Sequence, residues 1–243
     1  MYLNRGLKNM PLVVKNLIII NALFFLARYT LASTLNIDLN SVLGLYYYNS
    51  PEFNPYQLIS YMFMHGGFSH IFFNMFALWM FGTQIENLWG PKRFLNYYLI
   101  TGFGAAFLHY LIIHFQISGL ESYFTSNQIS EIVNSGAFNP SSPLFSKARM
   151  LYGLHHTPVV GASGAVFGLL LAYGMTYPNQ IIYLNLLFPI KAKYFVIIYG
   201  LLEFVMGVQN SAGDNVAHFA HIGGMLFGFL LIKYWKKNDM NFY

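Results

Sequence analysis

Two polar side chains stand in apolar, glycine-rich sequence and have the chemistry of a nucleophile and a base. Ser163 lies in the segment GASGAVFG, residues 161–168, and His221 lies in AHIGG, residues 220–224. A hydroxyl next to an imidazole is the minimum for a base-activated nucleophile. Because polar side chains at membrane depth are costly and usually functional, the pair indicates an enzyme.

The composition is typical of a membrane protein. Of the 243 residues, 56% are hydrophobic and only 9% are charged, whereas about a quarter are charged in soluble domains. The missing charge predicts that much of the surface contacts membrane lipid. The net charge is +5, and the basic residues form short clusters between apolar runs, which favours topology signals over nucleic-acid binding. The absence of cysteine excludes disulfides, thiolate metal sites and cysteine nucleophiles.

Hydropathy predicts an all-α protein, a polytopic membrane helix bundle with six transmembrane helices in a single domain over residues 1–243. Most of the apolar runs approach the roughly 20 residues that a bilayer requires. The residues between the third and fourth runs, 116–158, are polar and are predicted as a long loop. The predicted spans are residues 13–32, 68–88, 94–115, 163–177, 194–208 and 216–235.

Most lysines and arginines fall on one side of this predicted bundle. By the positive-inside tendency, that side and both termini are cytoplasmic. On this topology, Ser163 begins a helix that enters from the outer side, and His221 lies one to two turns into the last helix, so the two share a depth. The residues that set the orientation are Arg5, Lys8, Lys15, Lys92, Arg93, Lys191, Lys193, Lys233, Lys236 and Lys237.

Small residues predict contact between the fourth and sixth helices. Gly164 and Gly168 are four residues apart, as are Gly224 and Gly228. This spacing lets helix backbones approach closely in lipid. An imidazole on one helix can reach a hydroxyl on another only if the two helices nearly touch, so the glycines support the Ser163–His221 pair.

A third polar cluster could supply hydrogen-bond donors to a reaction. His70 and Asn74 are four residues apart and share a helix face. Acyl transfer needs donors aimed at the oxygen that becomes negative in the tetrahedral intermediate. The backbone N–H of Ser163, near the start of its helix, could be another donor. Alternatively, His70 and Asn74 could tie the first loop to the second helix.

These residues together carry a family resemblance. The ordered set of His65, His70 and Asn74, then GASG at 161–164, then AHIGG at 220–224, resembles the rhomboid intramembrane serine proteases over about residues 55–231. The resemblance implies a serine endopeptidase that cleaves transmembrane segments of membrane-protein substrates without a cofactor or metal. It also implies a multi-pass protein of a bacterial inner membrane.

The resemblance assigns roles to individual residues. It implies that Ser163 is the nucleophile and His221 its general base, with no carboxylate as a third member. His70, Asn74 and the Ser163 amide would form the oxyanion site, and Phe167 would pack on the catalytic imidazole. The fifth helix and the loop after it would be a lateral gate for substrate. The supporting glycines are Gly161, Gly164, Gly224 and Gly228.

The chain departs from the family pattern in its first loop, where Tyr56 and Gln57 replace a common Trp-Arg pair. Other polar residues receive structural predictions. His65 is predicted to be structural, Glu86 to accept hydrogen bonds near a helix end, and His218 to face the aqueous mouth. His155 and His156 are predicted to be loop residues without named partners. Glu203, inside the fifth span, could snorkel, pair with a neighbour or face the gate.

Three other functions compete with proteolysis. A non-catalytic relative of the same fold, which binds or chaperones transmembrane helices, should have lost the serine or the histidine. A haem or metal protein would need facing histidines, or two histidines and a carboxylate around one metal. A transporter would tend to show an internal repeat, and the sequence has none that we find.

Overall fold

The computed structural model describes residues 10–184, 188–209 and 217–238. This part of the chain is mainly helical, as the sequence predicts. A 3₁₀ turn at Tyr61–Phe63, a π turn at Leu78–Gly82 and an antiparallel hairpin of Ile181–Leu184 with Phe188–Lys191 complete it. The α-helices are α1 (Leu12–Leu35), α2 (Leu39–Leu43), α3 (Gln57–Ser60), α4 (Phe68–Ala77), α5 (Thr83–Trp89), α6 (Pro91–Glu121), α7 (Ser126–Ser135), α8 (Phe145–His156), α9 (Ser163–Thr176), α10 (Ala192–Gln209) and α11 (His218–Asn238).

The helices follow the apolar runs with small differences at their ends. α4, the π turn and α5 continue one another and occupy the second predicted span. α6 begins earlier than the predicted 94–115 because Gly90, with φ +79°, is followed by Pro91 at the first helical position, and it continues past residue 115 to Glu121. Proline lacks an N–H that the first turn would leave unpaired, so it starts helices well. Residue 216, the predicted start of the sixth span, lies outside the described residues.

Three helices of the described chain, α1, α6 and α10, have both the length and the hydropathy of a membrane span. α9 is apolar but shorter, with 14 residues. The membrane character of the protein follows from these helices, whereas the number of six spans stays a prediction.

The polar segment 116–158 is not the loop that the sequence predicts, because it contains the end of α6 and two further helices. Thr125 and Gln128 form a reciprocal capping box at the start of α7, which satisfies backbone donors that an uncapped end would expose. Gly136 ends α7 with φ +62°. Leu151 and Ile132 then pack with Ile117 of α6 in a small apolar cluster.

The centre of the fold is the contact among α6, α9 and α11, where side chains are small and helices lie close. A methyl group added to Gly168 would lie 2.6 Å from the Cβ of Thr101 on α6. The Tyr97 hydroxyl, also on α6, donates a 2.8 Å hydrogen bond to the Gly168 carbonyl. A methyl group on Gly228 would strike the same Tyr97 hydroxyl. Gly168 and Gly228 therefore fit the bundle by their contacts with α6.

Helix ends with basic residues meet at one end of the bundle. The Glu86 carboxylate of α5 accepts hydrogen bonds of 2.9 and 2.8 Å from the Val13 and Val14 amides at the start of α1, which confirms its predicted role as an acceptor. The Trp89 ring at the end of α5 lies 5.6 Å from the Trp235 ring near the end of α11. The helices that present Ser163 and His221 begin at the opposite end.

Candidate active site

The hydroxyl and the imidazole that the sequence singles out lie side by side. Ser163 is the first residue of α9, and His221 lies in the first turn of α11. The Nε2 atom of His221 is 2.8 Å from the Oγ atom of Ser163. His221 is buried, and Ser163 is partly exposed. A neutral imidazole with a free lone pair on Nε2 can accept the proton of this hydroxyl.

Two glycines allow the helices to come this close. A methyl group added to Gly224 of α11 would overlap the carbonyl oxygen of Gly164 on α9, the residue after the serine. A methyl group added to Gly164 would overlap Ala105 of α6. A larger residue at Gly224 would separate the backbones of α9 and α11, and with them the hydroxyl and the imidazole, whereas a larger residue at Gly164 would displace α9 from α6.

Phe167 holds the plane of the imidazole. Its ring is stacked on that of His221, with centroids 4.2 Å apart and an interplanar angle of 5°. Since Phe167 follows Ser163 by one helical turn, α9 supplies both the hydroxyl and the surface on which the imidazole lies. This is the packing that the family resemblance implies for Phe167.

Glu203 of α10 is the residue of this site that the sequence leaves without a role. Its Oε2 atom is 2.8 Å from Nδ1 of His221 and 2.7 Å from Nδ1 of His218. The prediction that His218 faces the aqueous mouth is wrong, because its side chain is buried against this carboxylate. The sequence signal was an acidic residue inside an apolar run. The sequence did not show the direction in which the Glu203 side chain points.

Glu203, His218 and His221 together offer donor atoms that lie within 4.8 Å of one another and could hold a metal ion. Two histidines and one carboxylate are the set that the metal-protein alternative requires. The two nitrogen–oxygen distances, however, are those of N–H···O hydrogen bonds, which need a proton on each Nδ1. With Nδ1 of His221 protonated and Nε2 directed at Ser163, the geometry is that of an oriented base.

His70 lies beside the serine on the other side. A methyl group added to Gly161, whose φ is +133°, would lie 2.8 Å from Nε2 of His70 and 3.5 Å from Oγ of Ser163. The Gly66 amide donates to Nδ1 of His70 over 3.3 Å, which leaves the proton of the neutral ring on Nε2. His70 therefore presents a donor next to Ser163, and only a residue without a side chain fits between them.

Asn74 is buried one turn further along α4. Within the described part of the chain its Nδ2 group has no hydrogen-bond partner. Native structures rarely leave a buried donor unpaired, and an unpaired one calls for an explanation. The Ser163 amide adds another donor, because the first N–H groups of a helix have no partner within it.

The first loop lacks the Trp-Arg pair and is held by other side-chain hydrogen bonds. The buried Gln57 side chain donates to the carbonyls of Val42 and Glu52, over 3.2 and 3.0 Å. Arg28 of α1 donates 3.0 Å bonds to the carbonyls of His65 and Gly66, just before α4. The buried His65 ring packs edge-on against His70, with centroids 5.0 Å apart.

Comparison with known proteins decides the family. A family model described as the rhomboid domain matches residues 52–237. The chain belongs to the rhomboid family. This family of polytopic helical bundles includes serine intramembrane proteases, and the matched residues contain all the side chains of the site.

Three curated relatives show how far the similarity of this rhomboid extends. The mitochondrial RHOMBOID-like protein 12 of Arabidopsis thaliana is 31% identical over 172 residues, which cover 69% of this chain and 42% of the relative. RHOMBOID-like protein 4 of the same plant is 31% identical over 180 residues, or 72% of this chain and 33% of the relative. Rhomboid protease GluP of Bacillus subtilis is 28% identical over 176 residues, or 72% and 25%. The rhomboid chain thus spans less than half the length of these relatives.

Proposed function

We propose that this rhomboid is an intramembrane serine endopeptidase that cleaves transmembrane segments of membrane proteins with Ser163 and His221. The observation that carries the proposal is the 2.8 Å approach of Nε2 to Oγ between two helices of an apolar bundle. A partly exposed hydroxyl beside a buried imidazole, with hydrogen-bond donors nearby, suits acyl transfer. Within this family, GluP of Bacillus subtilis is named a rhomboid protease.

The chemistry proceeds in two stages. His221 takes the Ser163 proton on Nε2 while Oγ forms a bond to the scissile carbonyl carbon, whose oxygen becomes negative. Donors from His70 Nε2, Asn74 Nδ2 and the Ser163 amide stabilise that oxygen. The C–N bond then breaks, and His221 returns the proton to the leaving amine. Water attacks the acyl-enzyme by the same route and releases Ser163.

The substrate enters from the side, past α10. A helical substrate hides its scissile carbonyl, so it must unwind locally, and helix-breaking residues near the cut favour this. α10 has an exposed outer face, on which Leu201 and Phe204 are 60% and 53% exposed. The loop that would complete the gate, residues 210–216, lies outside the described residues.

The test uses the purified chain in liposomes with a single-span reporter protein. Wild-type protein should cut the reporter within or beside its membrane segment, and Ser163→Ala should abolish cleavage without changing the thermal unfolding midpoint. A non-catalytic helix-binding protein, the alternative function, would bind the reporter equally well in both forms and cut it in neither. Cleavage at the wild-type rate by Ser163→Ala would contradict the proposal.

We further propose that the basic end of the bundle faces the cytoplasm, in a bacterial inner membrane. Lys15, Lys92 and Arg93 lie at helix starts that meet at this end, together with the lysines near the end of α11. The guanidinium of Arg93 lies 5.4 Å above the Trp235 ring, and aromatic residues are typical of membrane interfaces. Reporter fusions at the two termini should both give a cytoplasmic signal, and an external signal from either would refute this orientation.

A further inference from the structure

We propose that Glu203 is a positioning residue that orients His221 for catalysis and thereby makes helix α10 part of the active site. The inference rests on the proposed proteolytic function, which it deepens: the site would be a Ser–His–Glu arrangement whose third member is carried by the helix next to the substrate entry. Neither the composition nor the family resemblance assigns this role, because the resemblance implies a serine–histidine pair alone.

The burial of Glu203 is the first argument. Its neighbours Leu202 and Phe204 are 48% and 53% exposed, whereas Glu203 is 7% exposed. The buried positions of α10 are Ala192, Val196 and Glu203, spaced four and seven residues apart on one helix face. The carboxylate therefore points into the bundle and does not reach towards the membrane surface. A charge there is unfavourable unless it is paired and hydrogen-bonded.

The partners of Glu203 are the second argument. A single oxygen, Oε2, accepts from Nδ1 of both His218 and His221. A bond from Nδ1–H fixes the imidazole in the tautomer whose Nε2 lone pair can accept the Ser163 proton. His218 holds the carboxylate from a second direction, so that its free rotation is restricted. Phe167 sets the plane of the ring, and Glu203 sets its rotation within that plane.

Because Glu203 lies on α10, a movement of this helix would change the contacts of His221. On either side of Glu203, glycines keep α10 close to α11. A methyl group on Gly200 would lie 3.1 Å from Cε of Met225, and one on Gly207 would lie 3.0 Å from Phe219. If α10 moves outward to admit a substrate, Glu203 leaves both histidines. His221 is then oriented for proton transfer only after α10 has returned.

The experiment measures initial cleavage rates over a range of reporter concentrations for the full chain in liposomes. Glu203→Ala should lower kcat at least about 10-fold, towards the ~10⁴-fold loss that follows disruption of an orienting carboxylate in a soluble serine protease. KM should change by less than about threefold, because the carboxylate does not touch the substrate. Glu203→Gln keeps an acceptor of the same length but loses the charge that favours a proton on Nδ1, so its kcat should also fall.

A second readout excludes a purely structural role. The rate at which a small fluorophosphonate labels Ser163 reports the nucleophile without requiring a transmembrane substrate, and it should fall in parallel with kcat in Glu203→Ala. Val196→Ala is the matched control, since it loosens the buried face of the same helix without touching His221. An equal fall in labelling for Val196→Ala, or wild-type kcat in Glu203→Ala, would overturn the inference.

The proposed function fails separately from this inference. If Ser163→Ala abolishes cleavage while both Glu203 variants retain wild-type kcat, only the positioning role is lost. If Ser163→Ala still cleaves, the proteolytic assignment itself is wrong. Should Glu203→Ala fail to fold, the isosteric Glu203→Gln decides: its kcat must fall with unchanged KM, and an unchanged kcat would overturn the proposal.

Discussion

Asn74 has surroundings that stability alone does not explain. Its buried Nδ2 group lacks an acceptor within the described part of the chain, and such a group is unfavourable for folding by about 1–3 kcal/mol. Proposed as an oxyanion donor, the group gains a partner only in the transition state. The unpaired donor then lowers the stability of the fold and raises the catalytic rate.

Replacing Asn74 by Ala should therefore lower kcat without lowering stability. We expect a loss of about 10- to 1,000-fold, with the upper end set by the removal of one oxyanion donor in other proteases. The thermal unfolding midpoint should stay the same or rise, since a buried unpaired donor is removed. A role in tying the first loop to α4 predicts the reverse, a lower midpoint with unchanged kcat.

Gly224 tests how far the site depends on the approach of two backbones. In Gly224→Ala the added methyl group would overlap the Gly164 carbonyl, and such overpacking costs about 1–3 kcal/mol. We expect a lower unfolding midpoint and a lower rate of Ser163 labelling, because α9 and α11 must separate.

Gly119→Ala is the control for that change. Gly119 is an exposed residue of α6 whose added methyl group would meet nothing within 4 Å, so the replacement should raise helix stability by up to about 1 kcal/mol. Labelling at the wild-type rate in Gly224→Ala would show that the close contact is not required.

At the scale of helices, the apolar runs and glycine motifs of the sequence predict where helices lie and which of them touch. Long apolar runs place the main helices, and the glycine segments around Ser163 and His221 predict that their helices touch. The direction of Glu203 is not contained in that pattern, because it depends on how α10 is rotated against α11. The helices α7 and α8 were missed for a related reason: their polar composition matches a loop, and only capping and packing against α6 make them helical.

Helix α10 should behave as a gate whose docking limits the entry of transmembrane substrates. Phe195 packs near Val196 in a cluster with Phe81, and its ring lies 5.3 Å from that of Tyr199. Phe195→Ala removes contacts of about 1 kcal/mol, so opening should become roughly fivefold more frequent. Cleavage of the single-span reporter should rise by up to that factor, while fluorophosphonate labelling of Ser163 stays constant.

Leu202→Ala provides the comparison on the same helix, because Leu202 is 48% exposed on the outer face. Leu202→Ala should change neither the rate of reporter cleavage nor the rate of fluorophosphonate labelling. An equal change of reporter cleavage and labelling in Phe195→Ala would mean that the residue acts on the site and not on entry.

At the scale of the whole molecule, His156 connects the polar segment to the first loop. Nδ1 of His156, the last residue of α8, is 2.8 Å from Oε1 of Glu52, and its Nε2 is 2.7 Å from the Val133 carbonyl oxygen. The prediction that His156 is a loop residue is therefore wrong. Burial alone would raise the pKa of Glu52, but hydrogen bonds from Ser50 and His156 outweigh it and hold the pKa below its ordinary value of 4.5.

Removing this charge should loosen α7 and α8 in a pH-dependent way. A carboxyl whose pKa is lowered on folding contributes stability above its ordinary pKa, and that stability is lost as the pH falls through the lowered value. In Glu52→Gln, amide hydrogen exchange over residues 126–156 should be up to about fivefold faster at neutral pH, since a partly exposed contact of a carboxylate with its hydrogen-bond donor contributes about 1 kcal/mol or less.

The difference between Glu52→Gln and wild type should disappear at the acidic end, where Glu52 is protonated in both the folded and unfolded wild-type chain. Glu131→Gln removes an exposed charge from α7 and should leave exchange unchanged at every pH. A difference between Glu52→Gln and wild type that persists undiminished at low pH would exclude the Glu52 charge as its cause.

Activation of Ser163 by His221 is the basis of the proposed function, and covalent labelling measures this activation most directly. The purified chain in liposomes is treated with a fluorophosphonate and the adduct is located by peptide mass spectrometry. We predict a single modified serine, Ser163, in the wild-type protein and at least about 100-fold slower labelling in His221→Ala, given the losses that follow removal of a catalytic base. An adduct on another serine, or labelling of Ser163 at the same rate without His221, would contradict the account.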